Sequence, residues 1–197
     1  MEFNLNEDQL AFQDSARRFA SACLAPNAAD WDRDAHFPID IMREAAAIGF
    51  GGIYVAADVG GSDLKRIDAA IIFEALAEGC TSTAAFLSIH NMAAWMIDCF
   101  GSPEQRQRWL PDLTTMTKVA SYCLTEPGSG SDAAAMKTKA ENFKDNISYK
   151  INGSKSFISG AGESDLYFVM MKTENNMNEE ISCVLLEKEF EGISFGK

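Results

Sequence analysis

Apolar residues recur at helical spacing along the first 118 residues of the chain. Residues 64–79 place their apolar side chains three and four positions apart, on one face of a helix. Residues 81–100 are apolar almost all round, which is typical of a helix buried on several sides. Both segments are therefore predicted to be helices packed in a core.

Capping residues predict where three further helices begin and end. Asn6 is followed three residues later by Gln9, the pattern of a capping box, and this helix stops before Pro26. A second helix occupies residues 38–49 and ends on a glycine, and a third begins after Ser102 and reaches about residue 118. Five helices with short connections are typical of a bundle.

After residue 118 the apolar positions form short runs of β-branched and aromatic residues, which are typical of strands. The predicted strands are VASYCL, ISYKING, KSFIS, DLYFVMMKT and ISCVLLEK, and a polar hairpin loop at residues 175–180 joins the last two. The chain ends on GISFGK, which resembles part of one more strand. We therefore predict an α+β protein, with an α-helical bundle at residues 1–118 and an incomplete antiparallel β-domain at residues 119–197.

Composition narrows the classes of partner. The chain has 197 residues, of which 47% are hydrophobic, and a formal net charge of −12. So acidic a surface repels phosphate backbones, and we expect no nucleic-acid partner. The two histidines are far apart and lack acidic or cysteine partners at ligand spacing, so we expect no metal site. No uninterrupted apolar run is long enough to predict a membrane span.

The five cysteines lie singly among apolar residues and never form a CxxC pair. This usage is typical of buried thiols in a reducing compartment. Met1 lies only a few residues before the first predicted helix, which leaves no room for a signal or transit peptide. We therefore predict a cytoplasmic protein. The alternative is the mitochondrial matrix, if a presequence has been removed.

Residues 125–132 concentrate small donors and acceptors directly after a predicted strand. One interpretation is an ordinary glycine–serine turn, capped by Asp132. A second is a dinucleotide-binding loop, because Gly128 to Ala133 match G-x-G-x-x-[GA] and DAAAMKTKAENF could pass as the helix that follows. However, that motif needs a glycine directly off the strand and a crossover helix, whereas three residues intervene and strands resume by Ile147.

Two long motifs carry a resemblance to a known family. The first is SYCLTEPGSGSDAA, which closely resembles the flavin-contacting segment of the acyl-CoA dehydrogenases. The second is NGSKSFISGAGESDLYFVM, which resembles the family's second flavin segment and follows at the expected separation. A looser likeness links GGIYVAADVGGSD to the family's tyrosine- and glycine-rich connector. The resemblance extends over the whole chain and includes the order of helices before strands.

The resemblance implies that FAD binds at these two motifs. The residues it assigns to the cofactor are Tyr122, Cys123, Leu124, Thr125, Glu126, Pro127, Gly128, Ser129, Gly130, Ser131, Phe157, Ile158 and Ser159. Backbone groups near Leu124 and the Thr125 hydroxyl would hold the pyrimidine end of the flavin, and Ser131 would also contact the substrate. Phe157 would pack against the ring, although a core position in a strand explains a phenylalanine equally well. Ser159 would donate to flavin N5.

For Glu126 and Asp132 we expect a structural role in the glycine loop. Acidic groups close to the phosphates of a nucleotide would repel them. We therefore expect both carboxylates to brace the glycine loop rather than to take part in chemistry.

The implied reaction is FAD-dependent α,β-dehydrogenation of an acyl-CoA thioester. Many relatives have tryptophan and threonine where this chain has Phe157 and Ser159. The Phe-Ile-Ser sequence resembles the branch that acts on short branched substrates such as isobutyryl-CoA, in valine degradation. A short-chain acyl-CoA dehydrogenase of other chain specificity remains an alternative. The implied partners are the acyl-CoA substrate, an electron-transferring flavoprotein and further copies of the chain in a homotetramer.

The resemblance assigns no catalytic residue to this chain. The family's catalytic glutamate is expected beyond Lys197, in a C-terminal helical domain that the chain lacks, so we expect the chain alone to be inactive. Two alternatives from other classes remain open: a non-catalytic helical interaction module with a β-appendage, and an NAD-binding protein. Flavin absorbance would separate the first interpretation from both.

Overall fold

The computed structural model describes residues 4–142, 148–175 and 178–196. The chain divides into two compact units, Met1–Val119 and Ala120–Lys197. The described part of the first unit contains the helices α1 (Glu7–Phe19), α2 (Ala28–Asp34), α3 (Ile39–Ala47), α4 (Arg66–Ala77), α5 (Thr81–Phe100) and α6 (Pro103–Thr114). Within the described residues, no helix combines the length and apolar character that a membrane span requires.

The predicted capping residues act as expected. The Gln9 backbone N–H donates to the Asn6 side chain over 2.8 Å, and the Gln9 side chain accepts from the Asn6 N–H. Ser102 begins α6 in the same way. This helix ends at Thr114, earlier than predicted, because the chain turns into a left-handed conformation at Met116. The sequence pattern missed α2, which is short, polar and without a buried residue.

A buried amide on α5 anchors the glycine-rich segment between α3 and α4. The Asn91 side chain accepts from the Ile53 backbone N–H over 2.6 Å and donates to the Phe50 carbonyl oxygen over 2.9 Å. Asn91 is fully buried. An irregular segment needs such partners because its backbone groups lack the regular bonds of a helix or sheet.

The second unit is built on one sheet. Its strands are β1 (Ala120–Cys123), β2 (Lys139–Asn142), β3 (Tyr149–Asn152), β4 (Leu166–Asn175) and β5 (Asn178–Glu187). Strand β4 is central: it pairs antiparallel with β5 along one edge, and parallel with β1 and then β2 along the other. Strand β3 pairs antiparallel with β2. The sheet is therefore mixed, and the antiparallel prediction was wrong because hydrophobic alternation does not report strand direction.

Three further predictions for the second unit need correction. The predicted strand KSFIS is a loop, and residues 193–196 of GISFGK form no strand. Strand β2 was missed because it is short and mostly polar. Among the residues that the structure describes, no α-helix follows the glycine loop: a single 3₁₀ turn at Ala133–Ala135 leads into β2, so the dinucleotide-binding interpretation lacks its structural context. The predicted strand start at Ile147 and residues 176–177 of the hairpin loop lie outside the described residues.

Candidate cofactor site

Two loops of the second unit converge at the carboxyl end of β1. The first comprises residues 124–138 and leaves β1, and the second comprises residues 153–165 and leads into β4. The Ser156 backbone N–H donates to the Thr125 carbonyl oxygen over 2.8 Å. The Ser121 hydroxyl donates to the Ser159 carbonyl oxygen over 2.5 Å. The two predicted flavin segments therefore lie side by side, joined at both ends of the 156–159 stretch.

A buried ion pair forms a further link between these loops. The Lys155 ammonium donates to the Leu124 carbonyl oxygen over 3.0 Å and to Glu126 Oε1 over 2.9 Å. The two charged side chains are only 9% and 6% exposed. Glu126 also accepts from the backbone N–H groups of Lys137 (2.6 Å) and Thr138 (2.9 Å). The carboxylate thus holds the start and the end of the first loop together.

Glu126 stays ionised in this setting. Burial by itself raises the pKa of its carboxyl group, but the hydrogen bonds that it accepts from the Lys137 N–H, Lys155 and the Thr138 N–H outweigh that effect. The net result lowers the pKa of Glu126 to about 2. A carboxylate held in this way braces the loop and is not available as a proton acceptor at neutral pH.

The glycine loop owes its shape to its own backbone. Glu126 and Ser129 exchange two backbone hydrogen bonds, of 3.0 and 3.1 Å, which close a tight turn. Gly128 and Gly130 have no left-handed φ angle, and a Cβ added at either would meet nothing within 4 Å. Neither the conformation nor the packing of the described chain requires glycine here. A remaining reason for glycine at these positions is that it lets another molecule approach the backbone closely.

Phe157 is the most unusual residue of the second loop. Its φ angle is +58°, a left-handed conformation that is uncommon for a bulky side chain, and its side chain is 95% exposed. The next residue, Ile158, packs against the buried cluster that contains Cys123 and Tyr167. The loop therefore anchors Ile158 and presents Phe157 to its surroundings.

The predicted cofactor residues differ in what they expose. Three are buried: Cys123, Glu126 and Ser129. Five are partly buried: Tyr122, Leu124, Thr125, Ile158 and Ser159. The remaining five are exposed: Pro127, Gly128, Gly130, Ser131 and Phe157. Burial raises the pKa of Cys123 to about 12, so this thiol stays protonated and unreactive.

Sequence reasoning missed three residues that shape the site. The motif resemblance gives Lys155 no role of its own, although a lysine inside a predicted strand is a usable signal. Ser121 and Ser164 are completely buried, and their hydroxyl groups lie 2.7 Å apart. Because Ser121 donates to Ser159, Ser164 supplies the proton of this second bond. Serine carries no pattern that would reveal such a role.

Two family profiles match the chain. The acyl-CoA dehydrogenase N-terminal domain matches residues 6–117, and the acyl-CoA dehydrogenase middle domain matches residues 121–197. The chain belongs to the acyl-CoA dehydrogenase family. Among its relatives, the mitochondrial isobutyryl-CoA dehydrogenase of Bos taurus is 58% identical over 98% of the chain, which spans 46% of that protein.

Solved structures agree with the family and its fold. Butyryl-CoA dehydrogenase from Megasphaera elsdenii is 31% identical, with a TM-score of 0.89 over 100% of this chain and 52% of its own. The FAD complex of PigA is also 31% identical, with a TM-score of 0.90 and the same coverage. The chain therefore spans about half the length of the relatives it matches.

Proposed function

We propose that the converging loops of the second unit bind FAD, as part of an enzyme that oxidises the Cα–Cβ bond of a short branched acyl-CoA thioester such as isobutyryl-CoA. Phe157 is the observation that carries this proposal. A phenylalanine that is 95% exposed and held in a left-handed conformation contributes nothing to the core of the described unit. Strain of this kind typically persists where function requires it.

The residues present fit a flavin. Phe157 offers a flat apolar surface, which suits the face of an aromatic ring system. Gly128 and Gly130 leave open space along the backbone, where a bulky group can approach closely. The Ser131 side chain is exposed and supplies a hydroxyl that suits a phosphate oxygen. Backbone N–H donors also suit a phosphate, because they bind it without requiring a basic surface in a chain whose net charge is −12.

In this proposal, the chain's own residues bind the flavin and orient it. When bound, FAD supplies the acceptor for the hydride that leaves the substrate Cβ. Thr125 and the backbone near Leu124 would hold the polar edge of the ring, and Phe157 would pack against the ring. Ser159 would donate a hydrogen bond toward flavin N5, where preorganised donors stabilise charge as it develops.

The substrate proposal rests on similarity. A relative that is 58% identical is named for isobutyryl-CoA, and the chain has the Phe-Ile-Ser sequence at residues 157–159. The same relative is named as mitochondrial, which favours the mitochondrial matrix over the cytoplasm for this chain. Membership of the family is the support for an electron-transferring flavoprotein as redox partner and for a homotetramer.

One experiment tests the cofactor and the substrate together. The full-length gene product is titrated with FAD, and the complex is then mixed anaerobically with isobutyryl-CoA or butyryl-CoA. We expect saturable FAD binding and faster loss of visible flavin absorbance with isobutyryl-CoA. Faster reduction by butyryl-CoA would favour the other chain specificity. Binding of NAD without FAD, or of neither nucleotide, would reject the proposal.

A further inference from the structure

Lys155 links the two loops of the candidate site, both of which would contact a bound flavin. Its ammonium group donates to the Leu124 carbonyl oxygen and to Glu126, both in the first loop. The residue after it, Ser156, donates its backbone N–H to the Thr125 carbonyl oxygen over 2.8 Å. Three consecutive residues of the first loop are thus bonded to two consecutive residues of the second.

Glu126 extends this arrangement to a third stretch of chain. Its carboxylate accepts from the backbone N–H groups of Lys137 and Thr138, at the far end of the first loop. Both carboxylate oxygens therefore accept hydrogen bonds from the protein itself. The pair holds residues 124–126, 137–138 and 155–156 at one point.

The position of Phe157 depends on this pair. On its N-terminal side, Lys155 and Ser156 are bonded to the first loop, and on its C-terminal side Ile158 packs against the buried cluster. A left-handed residue persists only where its neighbours fix it. Loss of the Lys155 anchor leaves one end of this short span held by a single backbone hydrogen bond.

A contribution to stability alone does not account for such a pair. Burying two charges costs several kcal/mol, and an apolar pair of similar volume is often as stable or more stable. The charges do provide direction, because charge-assisted hydrogen bonds are short and geometrically specific. Specific geometry is what a cofactor site requires.

We propose that the buried Glu126–Lys155 ion pair is a positioning device, which sets the orientation of the two loops so that Thr125 and Phe157 meet the flavin together. Neither side chain contacts the cofactor in this role. The inference rests on the proposed function, and it adds two positioning residues that the family resemblance does not distinguish from their neighbours.

The test compares Lys155→Met, Glu126→Gln and the double variant in the full-length protein. Each is titrated with FAD, and the visible spectrum and midpoint potential of the bound flavin are measured. We expect each single variant to bind FAD at least about tenfold more weakly, since a charged hydrogen-bonding group is removed. The absorption spectrum and the midpoint potential of the bound flavin should shift. Because the two residues act as a pair, the double variant should bind FAD only slightly more weakly than the single variant that binds it least tightly.

The matched control is Glu141→Gln. Glu141 pairs with Lys139 in the same unit, but these side chains are 54% and 49% exposed. Exposed pairs contribute little, so FAD affinity, spectrum and potential should stay at wild-type values. If Lys155→Met does not fold, Glu126→Gln carries the test alone, because it keeps the shape of the side chain.

Three results would overturn the inference. Wild-type FAD affinity and spectrum in the folded variants would show that the pair is not needed, and would leave the proposed function intact. Affinity lost only in proportion to the unfolded fraction, with an unchanged spectrum of bound flavin, would show a purely structural pair. Failure of the wild-type protein to bind FAD would reject the proposed function, and the inference with it.

Discussion

At the scale of single residues, the second unit combines a strained position with an exposed aromatic ring. A residue with a Cβ in the left-handed region costs roughly 1 kcal/mol or more relative to glycine. Phe157 carries this cost and leaves its ring in solvent, although Ile158 beside it is packed. Stability alone would favour glycine at position 157, so the phenyl ring is retained for another purpose.

Two substitutions separate the strain from the ring. Phe157→Gly removes both and should raise the free energy of unfolding by about 1 kcal/mol. Phe157→Ala removes the ring but keeps the Cβ, so it should bring no such gain. Both variants should weaken FAD binding by about three- to tenfold, because stacking on an aromatic ring is lost.

Chemical denaturation and FAD titration of the two Phe157 variants provide the measurements. A stability gain that is equal in both would contradict the assignment of strain. Unchanged FAD affinity in both would remove Phe157 from the site.

His90 makes stability depend on pH. Burial lowers the pKa of this imidazole to about 4, against the opposing effect of its 2.9 Å hydrogen bond to the Leu113 carbonyl oxygen. The unfolded chain therefore binds this proton more readily than the folded protein between pH 6.5 and pH 4. Stability from this group is complete above pH 6.5 and falls as the pH is lowered through that window, by about 3 kcal/mol in total.

Denaturation midpoints measured from pH 7.5 to 4 check the His90 prediction. The control is His90→Gln, which keeps an amide donor but has no proton to gain. The variant should be less stable at neutral pH and should lose less stability on acidification. An equal decline in both proteins would show that other groups cause it.

At the scale of elements, polar residues of the mostly apolar helix α5 anchor other segments of the first unit, and Asn91 is one of them. The Asn91 side-chain amide forms hydrogen bonds with the Ile53 N–H and the Phe50 carbonyl oxygen. It thus supplies partners for backbone groups of the glycine-rich segment, as a neighbouring strand would. The sequence pattern marked this helix as buried on several sides. It could not show that a buried amide serves a segment about forty positions earlier, because spacing along a helix reports only burial.

Asn91→Leu should cost about 3 kcal/mol of unfolding free energy, because it leaves a buried N–H and a buried carbonyl without partners. Asn27→Leu is the matched control: this amide donates to the Cys23 carbonyl oxygen at an exposed position, and its loss should cost less than about 0.5 kcal/mol. Thermal or chemical denaturation measures both. Similar losses would refute the role assigned to Asn91.

At the scale of the whole molecule, the chain is acidic, whereas the proposed cofactor carries phosphates. A net charge of −12 gives no general attraction for phosphates, so recognition would rely on local groups, such as backbone donors and the exposed Ser131. Of the two carboxylates in the first loop, Glu126 is turned inward and paired with Lys155, whereas Asp132 is exposed. The inward pairing of Glu126 agrees with a nucleotide bound at the glycine loop.

Local sequence determined most helices, four of the five strands and the family of this protein. Capping boxes at Asn6 and Ser102 act over three residues, and apolar spacing reports burial of one element, so both can be read without a structure. The two motifs that carry the family resemblance are continuous in the chain. These signals are local, which is why they could be predicted.

The tertiary structure alone decided the strand directions and the contacts within the candidate site. Whether β1 and β2 run parallel to β4 depends on how the chain returns to the sheet, and hydrophobic alternation is the same for both directions. Lys155 meets Glu126, and Ser121 meets Ser159, across many intervening residues. Such pairs form only when distant segments pack together, and no short-range pattern encodes them.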